Sequence, residues 1–179
     1  MVKVNTKFVE GTITSIIEMA KDELEGLKDE YESWKDNITG TSLEQAPVYS
    51  QLEETISNLA DSISQLDNVL SSSIDEIDSR KIKVANVNAE SRVKRLAKFS
   101  AWLGEASTSV EELIASVEES LSEYEDGPPE EADEHDIAEF EEDKSDLESL
   151  RDDMQSFFDD LSNAIGTIDG IEPPIPFRG

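Results

Sequence analysis

Four stretches of the chain repeat apolar residues at alternating steps of three and four, and this spacing limits the folds open to it. Such steps place the apolar residues on one face of an α-helix. The stretches run from Val9 to Trp34, Tyr49 to Ile77, Val93 to Tyr124 and Ile137 to Ile168. Each lasts for about four heptads, long enough to predict a long helix. No stretch sustains a period of two, so the sequence predicts no sheet.

Glycine and proline separate most of these stretches. Thr39–Ser42 and Pro47 divide the first from the second, and Gly127–Pro129 divides the third from the fourth, because proline cannot continue a helix. Residues 79–88 are less clear, since their alternating apolar residues fit a short extended link or a continuing helix. Short links between long helices favour antiparallel neighbours.

The predicted fold class is therefore all-α, as a long antiparallel four-helix bundle or as two coiled-coil-like helical hairpins. The expected units are a first hairpin at 1–79, a basic link at 80–92, a second hairpin at 93–170 and an extended proline-rich tail at 171–179.

Charge restricts the partners of such a protein. The chain has 179 residues, with 43 acidic and 15 basic side chains, and a formal net charge of -28. Such a surface repels nucleic acid and anionic membranes and attracts basic proteins. We therefore expect a protein partner that is basic or DNA-binding, without direct nucleic-acid or membrane contact. Salt adaptation or solubility is the alternative reason for the acidity. The chain lacks cysteine and an apolar run of membrane length, so the expected compartment is the cytoplasm.

The acidic residues are densest between Glu130 and Asp143. One interpretation is a solvated helix start, because the helix dipole favours carboxylates there. The other is an array of carboxylates along a rod that imitates the phosphates of duplex DNA, one charge per ~1.7 Å of axis. For that case the predicted partner-binding face comprises Glu130, Glu131, Asp133, Glu134, Glu141, Glu142, Asp152, Asp153, Asp159 and Asp160.

Residues 80–98 contain seven basic side chains and one acidic, unlike the rest of the chain. This basic island has two interpretations. It neutralises acidic neighbours near a bundle end, or it contacts an acidic partner, including a second copy in a homo-oligomer or a nucleic acid, which the surrounding acidic residues disfavour. Its members are Arg80, Lys81, Lys83, Arg92, Lys94, Arg95 and Lys98.

Catalytic, metal and cofactor motifs are missing from the sequence. The only histidine, His135, has Ala132 three residues before it rather than the glutamate of a Glu-x-x-His di-iron site. With no cysteine and one histidine, the usual nucleophile–base pairs cannot form. The sequence therefore predicts no catalytic residue, no metal site, no cofactor and no enzymatic activity.

The segment Glu32-Ser33-Trp34-Lys35-Asp36-Asn37, with the polar loop and acidic heptads after it, resembles a pattern in small acidic helical proteins of bacteriophages. That family carries no assigned activity. The size, acidity and helicity also resemble the phage DNA-mimic anti-restriction proteins, in composition only. The leading hypothesis is a phage-encoded accessory protein that binds a host or viral protein through its acidic helical surface. Its sharpest form is a DNA mimic that inhibits a DNA-binding enzyme of the host. The alternative is a scaffolding or virion-assembly component, in which the basic island and the tail matter more.

Overall fold

The computed structural model describes residues 7–129 and 132–174, and most of them are helical. Four long helices dominate. The elements in chain order are β1 (Lys7–Thr12), α1 (Ile13–Ile38), a 3-10 helix (Ser42–Gln45), α2 (Pro47–Ser71), α3 (Asp75–Ser79), β2 (Lys81–Asn86), α4 (Arg92–Ser122) and α5 (Glu134–Asp169).

The four long helices pack in a ring in which each touches two others. The contacting pairs are α1 with α2, α2 with α5, α5 with α4, and α4 with α1. Polar contacts show that neighbours run antiparallel. Lys21 of α1 contacts Asp67 of α2 at 2.6 Å, and Lys35 of α1 contacts Glu53 of α2 at 2.9 Å. The residue number of the α2 partner therefore falls as the residue number along α1 rises. A shared core of apolar side chains fills the ring.

The two hairpins are offset along the bundle axis. At one end, the Ile13 amide at the start of α1 donates to the Arg80 carbonyl at 3.0 Å, and the Arg80 guanidinium donates to Glu112 in the middle of α4 at 3.2 Å. At the other end, Arg92 at the start of α4 donates to Glu30 at 3.1 Å, well before α1 ends. The tip of the α4–α5 hairpin therefore extends beyond α1 in one direction, and the tip of the α1–α2 hairpin extends beyond α4 in the other.

Burial along α2 follows a strict heptad with two polar members. The buried residues occur at steps of four and three: Val48, Leu52, Thr55, Leu59, Ser62, Leu66 and Val69. The sequence predicted a seam through Tyr49, Ile56, Ile63 and Leu70 beside the same leucines, but these four are only half-buried. Because α2 packs against both α1 and α5, its buried face lies between the two helices and includes the small polar residues Thr55 and Ser62. The Ser62 hydroxyl is satisfied by donating to the Asn58 carbonyl at 2.8 Å.

The absence of a sheet was a wrong prediction. β1 and β2 form an antiparallel pair in which Val9 lies opposite Val84 and Gly11 lies opposite Ile82. This ribbon packs on α4, where the Trp102 indole donates to the Ala85 carbonyl at 2.8 Å. Of the two structures that the sequence left open for residues 79–88, the extended link is therefore the one observed, as β2. The strand before α1 was missed because Val9 continues the helical spacing, although Thr12 caps α1 by accepting from the Ser15 amide.

The structure changes three further details of the predicted helices and tail. The second stretch breaks after Ser71, where three consecutive serines precede Ile74, and Ile77 lies in the separate short helix α3. Val93 is 58% exposed instead of lying in the seam, whereas Trp102 is buried. In the tail, Ile171 and Pro174 are buried against the bundle, and residues 175–179 lie outside the described residues.

Candidate partner-binding surface

The acidic residues predicted for partner binding on α5 form two lines along the helix, one opposite its core seam and one to the side of the seam. Glu130 and Glu131 lie outside the described residues, and the other eight are all exposed. At 3.6 residues per turn, Glu134, Glu141, Asp152 and Asp159 fall within about 20° of one line along α5. The other three α5 members form an adjoining line: Glu142, Asp153 and Asp160.

Much of this face lies on a part of the hairpin that contributes little to the core. Of the α5 residues described, none before Met154 is buried, and Ile137, Phe140, Leu147 and Leu150 are only half-buried. The first twenty residues of α5 span ~30 Å. Residues 113–153, termed here the acidic tip, carry eighteen acidic side chains and two basic ones. The projecting end of the molecule is therefore also its most negative part.

The charge density of α5 approximates that of one DNA strand. Twelve acidic side chains lie between Glu134 and Asp160, a length of ~39 Å at 1.5 Å per residue, which gives one carboxylate per ~3.3 Å. A single strand of B-DNA carries one charge per ~3.4 Å, and the duplex carries one per ~1.7 Å. α5 alone thus reaches about half the charge density of duplex DNA.

Some of these carboxylates have local structural roles. Asp133 caps α5 by accepting from the His135 and Asp136 amides at 2.8 and 3.0 Å, and the Asp136 carboxylate accepts from the Asp133 amide in return. This capping box accounts for Asp133 without a partner. Asp152 accepts from Arg151 at 2.6 Å, and this hydrogen bond raises the pKa of the arginine. The remaining predicted acids on α5, apart from Asp159 with Gln155, face solvent.

The basic island divides into paired and solvent-facing members. Arg80, Lys83, Arg92 and Arg95 each contact an acidic side chain of the same chain, at 3.2, 3.6 and 3.1 Å for the first three. Lys98 lies over the rings of Phe99 and Trp102, at 5.0 and 4.8 Å from their centroids. Lys81 and Lys94 are exposed. Most of the island therefore contributes to contacts within the fold.

Glu30 is the common partner of Arg92 and Arg95. It accepts hydrogen bonds from both Arg92 and Arg95, and Arg95 also approaches Glu23 at 3.7 Å. The hydrogen bond from Arg95, assisted by that from Arg92, lowers the pKa of Glu30. These pairs join α1 to α4 near the start of α4.

An open cleft adjoins this ion-pair cluster. It has a volume of about 570 Å³ and is lined by Asp29, Glu30, Ser33, Trp34, Asn37 and Arg92. The Arg92 guanidinium lies 5.0 Å from the Tyr31 ring centroid and 5.4 Å from that of Trp34. A second depression of about 360 Å³ shares Glu30 and Arg92 and reaches Pro174. The sequence could not reveal this aromatic cleft, because the offset of the two hairpins creates it.

His135 and the acidic side chains were the candidates for a metal site. His135 is exposed in the first turn of α5. Within 7–129 and 132–174 there is no group of three or more acidic or histidine side chains arranged to hold a metal ion. None of the helices described there has the length and hydropathy needed to cross a membrane.

Comparisons with known proteins leave these surfaces as the basis for a function. No family model, characterised protein or solved structure matches the chain.

Proposed function

We propose that this protein binds a basic protein through the exposed acidic face of α5 and does not act as an enzyme. The observation that carries the proposal is the uneven distribution of ion pairs over the fold. Of the ten ion pairs found among the described residues, nine lie outside the acidic tip, and the tenth joins the adjacent residues Arg151 and Asp152. Among the residues that the structure describes, the carboxylates of the tip thus have no cationic partner from elsewhere in the fold.

Unpaired exposed carboxylates are poor stabilising features. They repel one another and lower the stability of the compact state, and α5 gains almost no core burial before Met154 in return. A long acidic extension that costs stability fits a binding role, because such a field raises the association rate with a basic partner.

The sharpest form of this proposal is a DNA mimic that inhibits a DNA-binding enzyme. It is supported by a rigid rod with a carboxylate per ~3.3 Å on α5, close to the spacing along one DNA strand. Additional carboxylates on α4 and in the turn, Glu118, Glu119, Glu123, Glu125 and Asp126, increase the local density. A phage origin, suggested by the Glu32–Asn37 segment, stays a prediction, as does a cytoplasmic location.

Self-assembly as a scaffold is the second candidate, and one observation favours it. Phe8 on β1 is 57% exposed, with Lys83 5.8 Å from its ring centroid, and Val93 at the start of α4 is 58% exposed beside the solvent-facing Lys94. An apolar group beside a basic one at each of these two sites suits docking on the acidic tip of another copy. Light scattering separates the candidates, because a mimic remains a discrete monomer or dimer whereas a scaffold forms larger assemblies with concentration.

Charge reversal tests the binding face directly. The variant E141K/E142K/D153K/D160K should lower the affinity for the partner captured from the source organism by at least tenfold, which is about 1.4 kcal/mol of binding free energy. The matched control is E18K/D22K/E54K/D61K, which makes the same change in net charge at exposed acids of α1 and α2. Equal binding by both variants would contradict the assignment to α5. For a DNA mimic, duplex DNA added to the captured complex should displace the protein.

A further inference from the structure

The α1–α2 tip offers an aromatic surface that α4 and α5 leave uncovered. α1 continues past Glu30 to Ile38, whereas α4 begins at Arg92 beside Glu30. Tyr31 is buried and stacks on Trp34 with ring centroids 6.3 Å apart, but Trp34 itself remains half-exposed. Arg92 lies over both rings, so the cleft has an aromatic floor and a cationic edge.

The chain after α5 runs towards this surface. Gly170 and Glu172 lie beside α2, among Gln51, Glu54, Thr55 and Asn58. Four residues beyond Gly170, the buried Pro174 lies beside Tyr31 and Arg92, across the end of the bundle. The depression that holds Pro174 and the Trp34 cleft share Glu30 and Arg92 as walls. Pro174 therefore lies in the depression next to the Trp34 cleft.

The residues that follow have the chemistry of the cleft. Residues 175–179 read Ile-Pro-Phe-Arg-Gly, and the preceding Pro173-Pro174 favours polyproline II, a conformation that docks on aromatic-lined grooves at low entropic cost. At ~3.3 Å per residue, this segment can extend ~16 Å from Pro174. Its one charged side chain, Arg178, is opposite in sign to the exposed Asp29 and to Glu30 in the cleft wall.

We propose that residues 175–179 dock in the Trp34 cleft of their own chain, with Pro176 or Phe177 against the indole and Arg178 towards Asp29. The docked tail covers the tip of α1 and fixes the offset of the two hairpins. This places the proline-rich tail in the fold as an internal ligand of the α1–α2 tip.

Cysteine cross-linking tests the docking, because the natural chain has no cysteine. In the full-length N37C/F177C variant, mild oxidation should close a disulfide within one chain. The control is S145C/F177C, whose first cysteine lies about 36 Å along α5 from Asp169, beyond the reach of the tail. Intrachain closure at least tenfold faster than in the control supports the proposal. Equal rates overturn it, and cross-linked dimers overturn it in favour of docking on a second copy.

Tryptophan fluorescence provides a readout that does not depend on introduced cysteines. Deleting residues 175–179 should expose Trp34 and shift its emission to longer wavelength, whereas the buried Trp102 is unaffected. The same deletion in a W34F background should produce no shift. An unchanged spectrum on deletion in the Trp34 protein, or an equal shift in both backgrounds, would show that the tail does not cover this indole.

Discussion

Glu30 shows how a few residues set the contact between the hairpins. Its carboxylate accepts from two arginines of α4, and Trp34, one turn further along α1, stacks beneath one of them. Neither contact follows from the sequence, because the partners are about sixty positions apart in the chain. The sequence did identify the two arginines as part of the basic island and Trp34 as part of the Glu32–Asn37 segment, but it did not connect them.

The lowered pKa of Glu30 makes a prediction with a definite sign. A carboxyl whose folded pKa lies below its ordinary value of 4.5 contributes stability above that pH and loses it as pH falls through the folded pKa. The Glu30 side chain is 41% exposed, so screening keeps the contribution to about 0.5–1 kcal/mol. We expect E30Q to lower the free energy of unfolding by that amount at pH 7, measured by urea denaturation, with the difference shrinking below pH 4.5.

The control for E30Q must remove one negative charge without removing an ion pair. Glu18 on α1 is exposed and contacts no basic side chain among the residues that the structure describes. Because the protein carries excess negative charge, E18Q should leave stability unchanged or raise it slightly. A loss in E18Q equal to that in E30Q would mean that the arginine contacts do not stabilise the fold.

Among the elements, the helices were predictable and the ribbon was not. The apolar spacing identified all four long helices because a sustained period is a local property of the sequence. A pair of six-residue strands depends instead on contacts between residues 69 to 79 positions apart, such as Phe8 opposite Ala85. The buried polar Thr55 and Ser62 were missed for a related reason, since the packing of α2 between two helices decides which face is buried.

The two halves of α5 should contribute unequally to stability. Leu161 is fully buried in the four-helix region, whereas Leu147 is half-buried on the acidic tip. Truncating a buried leucine costs about 2–5 kcal/mol, so L161A should lower Tm by several degrees or more. L147A should cost less than about 1 kcal/mol and should therefore lower Tm by less than about 2–4 °C. Thermal denaturation followed by circular dichroism measures both, and equal losses would show that the tip is part of the core.

At the scale of the whole molecule, repulsion and attraction between charges compete, and their balance sets the response to salt. The described residues contain ten ion pairs, mostly exposed, and such pairs contribute ~0–1 kcal/mol each. Against them stand 28 excess negative charges, concentrated on the acidic tip, where many carboxylates lie within one Debye length of ~10 Å at 0.1 M salt. Because the tip holds few attractive pairs, screening should relieve more repulsion than it weakens attraction.

The melting temperature should therefore rise between low salt and 0.5 M sodium chloride, by about 2–4 °C for each 1 kcal/mol of repulsion relieved. A shortened variant that joins Val117 to Ser149 through a glycine-rich turn removes sixteen acidic residues and one basic residue. It keeps the buried part of α5, and its Tm should respond less to salt than that of the full chain. A Tm that falls with salt in the full chain, or responds equally in both proteins, would mean that the acidic tip is not the main source of repulsion.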